Sequence, residues 1–160
     1  MYQASVPVFR HYLAQMSAMV EKTGPGTPYS GALDHQIDTS FSAGQHFATA
    51  AGFSLRICCP LAGREVPNLP RALAPRLAVA RATLGAMKPD EFEGAESRRI
   101  QHRAGEADLD QSATEFLHLY GIPNFFFHLT MGYASLRAAG VPLGKGDFDG
   151  MHHYPPGFSF

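Results

Sequence analysis

The sequence predicts an all-α fold: a four-helix bundle of about 150 residues with a small hairpin inserted before the last helix. Two stretches carry most of that expectation. Leu69, Leu73, Leu77, Ala80, Leu84 and Met87 recur at three- and four-residue steps, the seam of a helix packed in a bundle. Ile122–Pro123–Asn124–Phe125–Phe126–Phe127–His128–Leu129–Thr130 reads as the opening of the last core helix, with Pro123 in a first turn that needs no N–H from it. Punctuation agrees with both: Gly24–Pro25–Gly26, Pro60 with Gly63, Pro89 and Gly140 each stand where a helix should stop.

Composition sets the outer limits. A chain of 160 residues suits one domain with one core, and 45% hydrophobic against 17% charged residues suits a folded globule. The formal charge of -1 and a pI near 6.7 offer no basic footprint for DNA, RNA or an anionic membrane. No apolar run approaches the ~20 residues that span a bilayer. The first residues lack the basic region and apolar core of a signal peptide, so a cytoplasmic location is expected. We divide the chain into a bundle domain over residues 1–150 and a flexible tail over 151–160.

In order along the chain, Val8, Phe9, Tyr12, Leu13, Met16, Met19 and Val20 mark a first amphipathic helix, with His11 on its polar, solvated side. A second helix is expected from about Asp34 to Cys58, through Ile37, Phe41, Phe47, Phe53, Leu55 and Ile57. Its small residues, Gly44 and Gly52 among them, suit close packing against neighbours. The third helix follows the leucine seam, with Asn68 as its cap, Pro70 in its first turn, and Arg71, Arg76 and Arg81 on a solvated face. Arg99–Arg103 reads as a short strand turning at Ala104–Gly105 into a weak partner. Ser112-x-x-Glu115 is a capping box that opens a short helix, broken or kinked at Gly121–Ile122–Pro123 before the last one begins. Val141–Phe148 is expected to be a packed extended segment, and the tail carries His152–His153.

Several side chains have chemistry to offer. Asn124 and His128 lie four residues apart, on one helix face. His128 is a ligand or base in a bundle-core cavity, or else a core histidine holding a backbone carbonyl across the kink. Asn124 suits capping or orienting a ligand better than coordinating a metal, its amide oxygen being a hard, weak donor. Tyr133, a little over one turn beyond His128, points its hydroxyl into the same cavity or is buried beside a partner. His118, among Leu117, Leu119 and Tyr120, suggests a packing role. Cys58 and Cys59 are adjacent, which disfavours a disulfide, and we read them as reduced thiols near a helix end. No GxSxG, HExxH or phosphate-binding glycine loop is present.

Met1–Phe9, Phe92–Ala95, Ile122–His128 and Gly140–Phe148, taken in order, resemble an uncharacterised bacterial domain-of-unknown-function family. That family is placed in the DinB/YfiT-like superfamily of four-helix bundles. The resemblance implies a homodimer and a metal site, which in the superfamily is three histidines, one on the second helix and two near the start of the last, often holding zinc or nickel. Residue by residue, His46 matches the first ligand, His128 the last, and Asn124 stands where the middle one would be. The family commonly has Arg–Gln at the Gln45–His46 positions and an acidic residue near Gly52, and this chain departs from both. Two functions stay open. One is a metal-dependent thiol transferase or hydrolase using His46 and His128, with Asn124 and Tyr133 placing a ligand. The other is a non-enzymatic homodimeric module whose cavity holds a small molecule without metal.

Overall fold

Val6, Phe9, Leu13, Met16 and Met19 fall on one helical face and are all buried, which sets the inner side of α1 (Tyr2–Glu21) in this computed structural model. The structure describes residues 1–155. α1 begins earlier than its clearest apolar period, because Val6 and Ser5 are already sealed against the core. His11 on its flank is not simply solvated: its Nε2 meets the Asp149 carbonyl at 2.7 Å.

The central helix starts at Ala43, not near Asp34 as the periodicity suggested. Ser42 is the reason. Its hydroxyl accepts from the Gln45 N–H at 3.2 Å while the Gln45 side chain accepts from the Ser42 N–H at 2.9 Å, a reciprocal cap. Upstream, Ala32–Asp34 is a single 3₁₀ turn, Asp38 takes a left-handed φ of 52°, and Gln36 bridges Ser42. Ile37 and Phe41 therefore belong to a loop. The resulting α2 (Ala43–Leu61) is buried on nearly every side, as a helix with apolar residues all round must be. Cys58 and Cys59 lie buried as free thiols near its end.

α3 (Leu73–Gly85) also starts later than expected. Asn68 does not cap it, and Leu69 precedes it; Pro75 occupies its first turn, where the missing N–H costs nothing. Leu77, Ala80 and Leu84 keep the seam and are buried, the last two completely. Arg76 is not on a solvated face. It donates to the Pro70 carbonyl at 2.7 Å and to the Ala48 carbonyl at 3.0 Å, tying the loop before α3 to α2.

Two 3₁₀ turns, Pro89–Phe92 and Ala95–Ser97, lead into the hairpin. β1 (Arg99–Ala104) pairs antiparallel with β2 (Ala107–Ser112), Arg99 opposite Ser112 and Ala104 opposite Ala107. Gly105 supplies the positive φ (60°) that the tight turn requires. The Ser112–Glu115 capping box forms as read, opening α4 (Ala113–Glu115). The chain does not break at Gly121. It runs through a π-helical stretch, Phe116–Gly121, directly into α5 (Ile122–Ala138), so Pro123 is absorbed by a wider turn. Gly140, at φ 85°, ends it. Past the buried Val141 and Leu143 the segment is not extended but coils into α6 (Lys145–Asp149), whose N-terminal Gly144 N–H is capped by the Asp147 carboxylate at 2.8 Å. Phe148 of α6 packs on Tyr12 and Tyr133.

The architecture is mostly helical with one two-stranded hairpin. α2 lies at the centre, against α5 on one side and α3 on another, and α1 closes the core by setting Phe9 edge-on to Phe125 at 4.7 Å. Met151–Pro155 has no regular structure, although His152 is held by the Asp149 carboxylate; the rest of the predicted tail lies outside the described residues.

Candidate functional site: a histidine pair between α2 and α5

The Ser42 cap places His46 in the first turns of α2, and the π-helical entry to α5 places His128 opposite it. Their Nδ1 atoms meet at 3.0 Å. Beyond His46, its Nε2 meets the Ser40 hydroxyl at 2.8 Å, so loop, α2 and α5 are joined in one chain of hydrogen bonds. His46 is buried; His128 is partly exposed, and its Nε2 has no hydrogen-bond partner among the described residues. Aromatic rings surround the pair. Phe41 and Phe53 both stack with His128, at 6.1 and 5.6 Å, and Phe127 stands edge-on to it at 5.1 Å. Thr39, Ser40, Phe41, His46, Phe127 and His128 line a hollow of ≈ 250 Å³ open to solvent. Its two phenylalanines are 51% and 56% exposed, unusual for side chains of that size.

Of the four residues singled out by sequence, the structure brings two together. Asn124 turns its amide N–H to the Tyr120 carbonyl at 2.7 Å, satisfying the backbone where the π-helical turn frees it. Tyr133 is directed elsewhere: its ring packs edge-on against Phe148, with Arg137 over its face at 5.9 Å. His118 is exposed, not packed, and its Nδ1 meets the Thr114 carbonyl at 3.0 Å. Ser40, Phe41 and Phe127 were missed as site residues. Phe41 carried a helical period and Phe127 sat in an aromatic run, so neither looked different from core. Both cysteines are poor nucleophiles here, because burial raises the Cys58 pKa and pushes that of Cys59 up to about 11.

A family model described as a domain of unknown function (DUF1993) matches residues 1–149. The chain belongs to that family. A crystal structure of a DinB family member protein from Shewanella denitrificans superposes on this DUF1993 chain with a TM-score of 0.79 at 22% identity, covering 96% of this chain and 94% of the other. The DinB-like fold is thereby shared. No curated protein matches the DUF1993 chain.

A metal site of the superfamily kind asks for three converging donors. This DUF1993 chain supplies two imidazoles, already hydrogen-bonded to each other, and a serine hydroxyl engaged with one of them. Asn124 is committed to a backbone carbonyl. Among the described residues, no three His, Cys, Asp or Glu side chains stand together as a metal site would require. Two imidazoles are therefore the donors that this site offers among the described residues.

Both imidazoles are held neutral. Burial lowers the His46 pKa; burial, then the charges of His46 and Arg56, lower that of His128 to about 4. The unfolded chain takes up protons at these rings first, so the stability they contribute is complete above a pH of 6.5, the ordinary imidazole value, and falls below it, the His128 share being lost as pH approaches about 4. Solvent reaches the His128 ring and screens its charge, which reduces the expected loss across that window to about 1–2 kcal/mol. Urea midpoints compared at neutral and mildly acid pH should show the decline in the parent and a flatter profile in His128→Gln. A parent whose midpoint does not move would contradict the neutral pair.

Proposed function

We propose that the protein is a DinB/YfiT-like four-helix bundle, working as a homodimer, that binds a small and largely apolar molecule at the His46–His128 hollow without a resident metal. The observation that carries this reading is the Nδ1–Nδ1 contact, with a His128 Nε2 that bonds to none of the described residues, beside two exposed phenylalanines. Two neutral imidazoles sharing one hydrogen can do so in two ways. If His46 donates, Ser40 donates to His46 and His128 presents an N–H at Nε2. If His128 donates, His46 donates to Ser40 and His128 presents a lone pair. The hydroxyl of Ser40 accepts either arrangement, so the pair offers a donor or an acceptor as the ligand requires. At ≈ 250 Å³ the hollow suits a single ring with one polar substituent.

Metal-dependent thiol transfer or hydrolysis is the second reading, favoured by the close approach of two neutral imidazole nitrogens from α2 and α5. One set of samples separates the two. Tag-free protein, with His46→Ala and His128→Ala, is assayed for zinc and nickel by elemental analysis, for mass in solution by light scattering, and for phenol binding through ¹⁵N imidazole shifts. The binding reading expects a dimer without stoichiometric metal and a saturable phenol shift at the His128 nitrogens, lost in both variants. One zinc or nickel per chain, lost in both variants, would replace it with the metalloenzyme reading.

A further inference from the structure

Gly52 is buried in the middle of α2, and two cations face the place where its side chain would stand. From that position Arg76 Nη1 lies at 3.6 Å and Arg56 Nη2 at 3.8 Å, with Leu69 Cδ1 as an apolar wall at 3.8 Å. Each guanidinium is held in place, and Arg76 Nη1, the atom facing Gly52, is itself one of the tethered donors. Arg76 is fixed by its hydrogen bonds to the Pro70 and Ala48 carbonyls. Arg56 sets its Cζ over the Phe53 ring, 4.1 Å from the centroid, and the residue is exposed. Neither forms an ion pair among the described residues, a state shared with most of the chain's arginines; what sets these two apart is that both reach the same point beside Gly52. The groups that act electrostatically on Arg56 are the Tyr120 phenol and Arg76 itself.

We propose that Arg56 and Arg76 form a binding site over Gly52 for an oxyanion, the carboxylate or phosphate group of a small molecule. Two like charges converging beside a buried helix backbone repel each other, and the repulsion is relieved when an anion bridges them. Guanidinium groups match planar and tetrahedral oxyanions; Arg76, with Nε and one Nη1 hydrogen committed to carbonyls, keeps its Nη2 hydrogens to donate, and Arg56 is positioned by its ring contact. Burial and the charge of Arg76 already lower the Arg56 pKa, as expected for a cation that lacks its counter-ion. The site uses none of the histidine pair's donors, although the two are neighbours: the Phe53 ring carries Arg56 and also stacks with His128, and the charge of Arg56 is felt at that imidazole.

The full chain is titrated at constant ionic strength with inorganic phosphate and separately with acetate, with chloride as the control, following the arginine Nε–Hε signals and the melting temperature. A saturable shift of the Arg56 and Arg76 signals is expected with phosphate, acetate or both, accompanied by a rise in melting temperature. The preferred anion identifies the ligand group. Arg56→Gln should weaken binding by about tenfold or more while leaving the circular dichroism unchanged. Gly52→Asp, which sets a carboxylate between the two forks, should fold and lose the response. His128→Ala should retain it, which distinguishes this site from the hollow. No saturable shift with either anion, or the same shift in Arg56→Gln as in the parent, would overturn the proposal.

Discussion

Gly132→Ala should destabilise the protein by about 1–3 kcal/mol, and Gly132→Leu should prevent it from folding. A Cβ at position 132 would stand 2.4 and 2.5 Å from two atoms of the Phe47 ring, well inside any real carbon–carbon contact. Phe47 cannot step aside, since it is fully buried and a ring has few alternative rotamers in a close-packed core. Either the ring leaves its well or α2 and α5 separate, and their separation would also pull His46 away from His128. Urea unfolding measures the loss, and Phe47→Leu in the same chain should recover much of it by making room. A Gly132→Ala protein that unfolds with the parent midpoint would show that α2 and α5 do not meet as closely as described.

Leu84→Ala should cost about 2–5 kcal/mol, and Leu73→Ala markedly less. Both leucines belong to one sequence seam, yet Leu84 is completely buried in the core while Leu73 is only partly covered at the first residue of α3. Removing three carbons leaves a cavity only where neighbours on all sides cannot relax into it. Leu77, also buried, should resemble Leu84. Denaturant midpoints of the three single variants test the order. Equal losses at positions 73 and 84 would mean that the seam packs over its whole length, as the sequence period alone suggested.

The helices that could be read from the sequence were those whose ends are written in local chemistry. Gly140 and the Ser112–Glu115 box act within a few residues of themselves, and the structure keeps both. Ser42–Gln45 is an equally local signal, but the apolar spacing of Ile37 and Phe41 extended the expected α2 across it. Periodicity reports which residues prefer to be covered, not which backbone covers them. For the same reason the composition of Val141–Phe148 suggests an extended segment, whereas the cap from Asp147 turns its second half into α6.

The candidate site divides along the same line. That His128 and Asn124 share a helix face follows from the period of an α-helix, and sequence alone determined it, together with the mostly helical fold and the hairpin. Sequence could not determine that Asn124 turns to the Tyr120 carbonyl, that Tyr133 packs on Phe148, or that two arginines converge over Gly52. Those outcomes depend on rotation through the π-helical turn and on contacts between residues far apart in the chain. The meeting of His46 and His128 is the clearest case: 82 residues separate them, and only the packing of α2 against α5 brings their Nδ1 atoms to 3.0 Å.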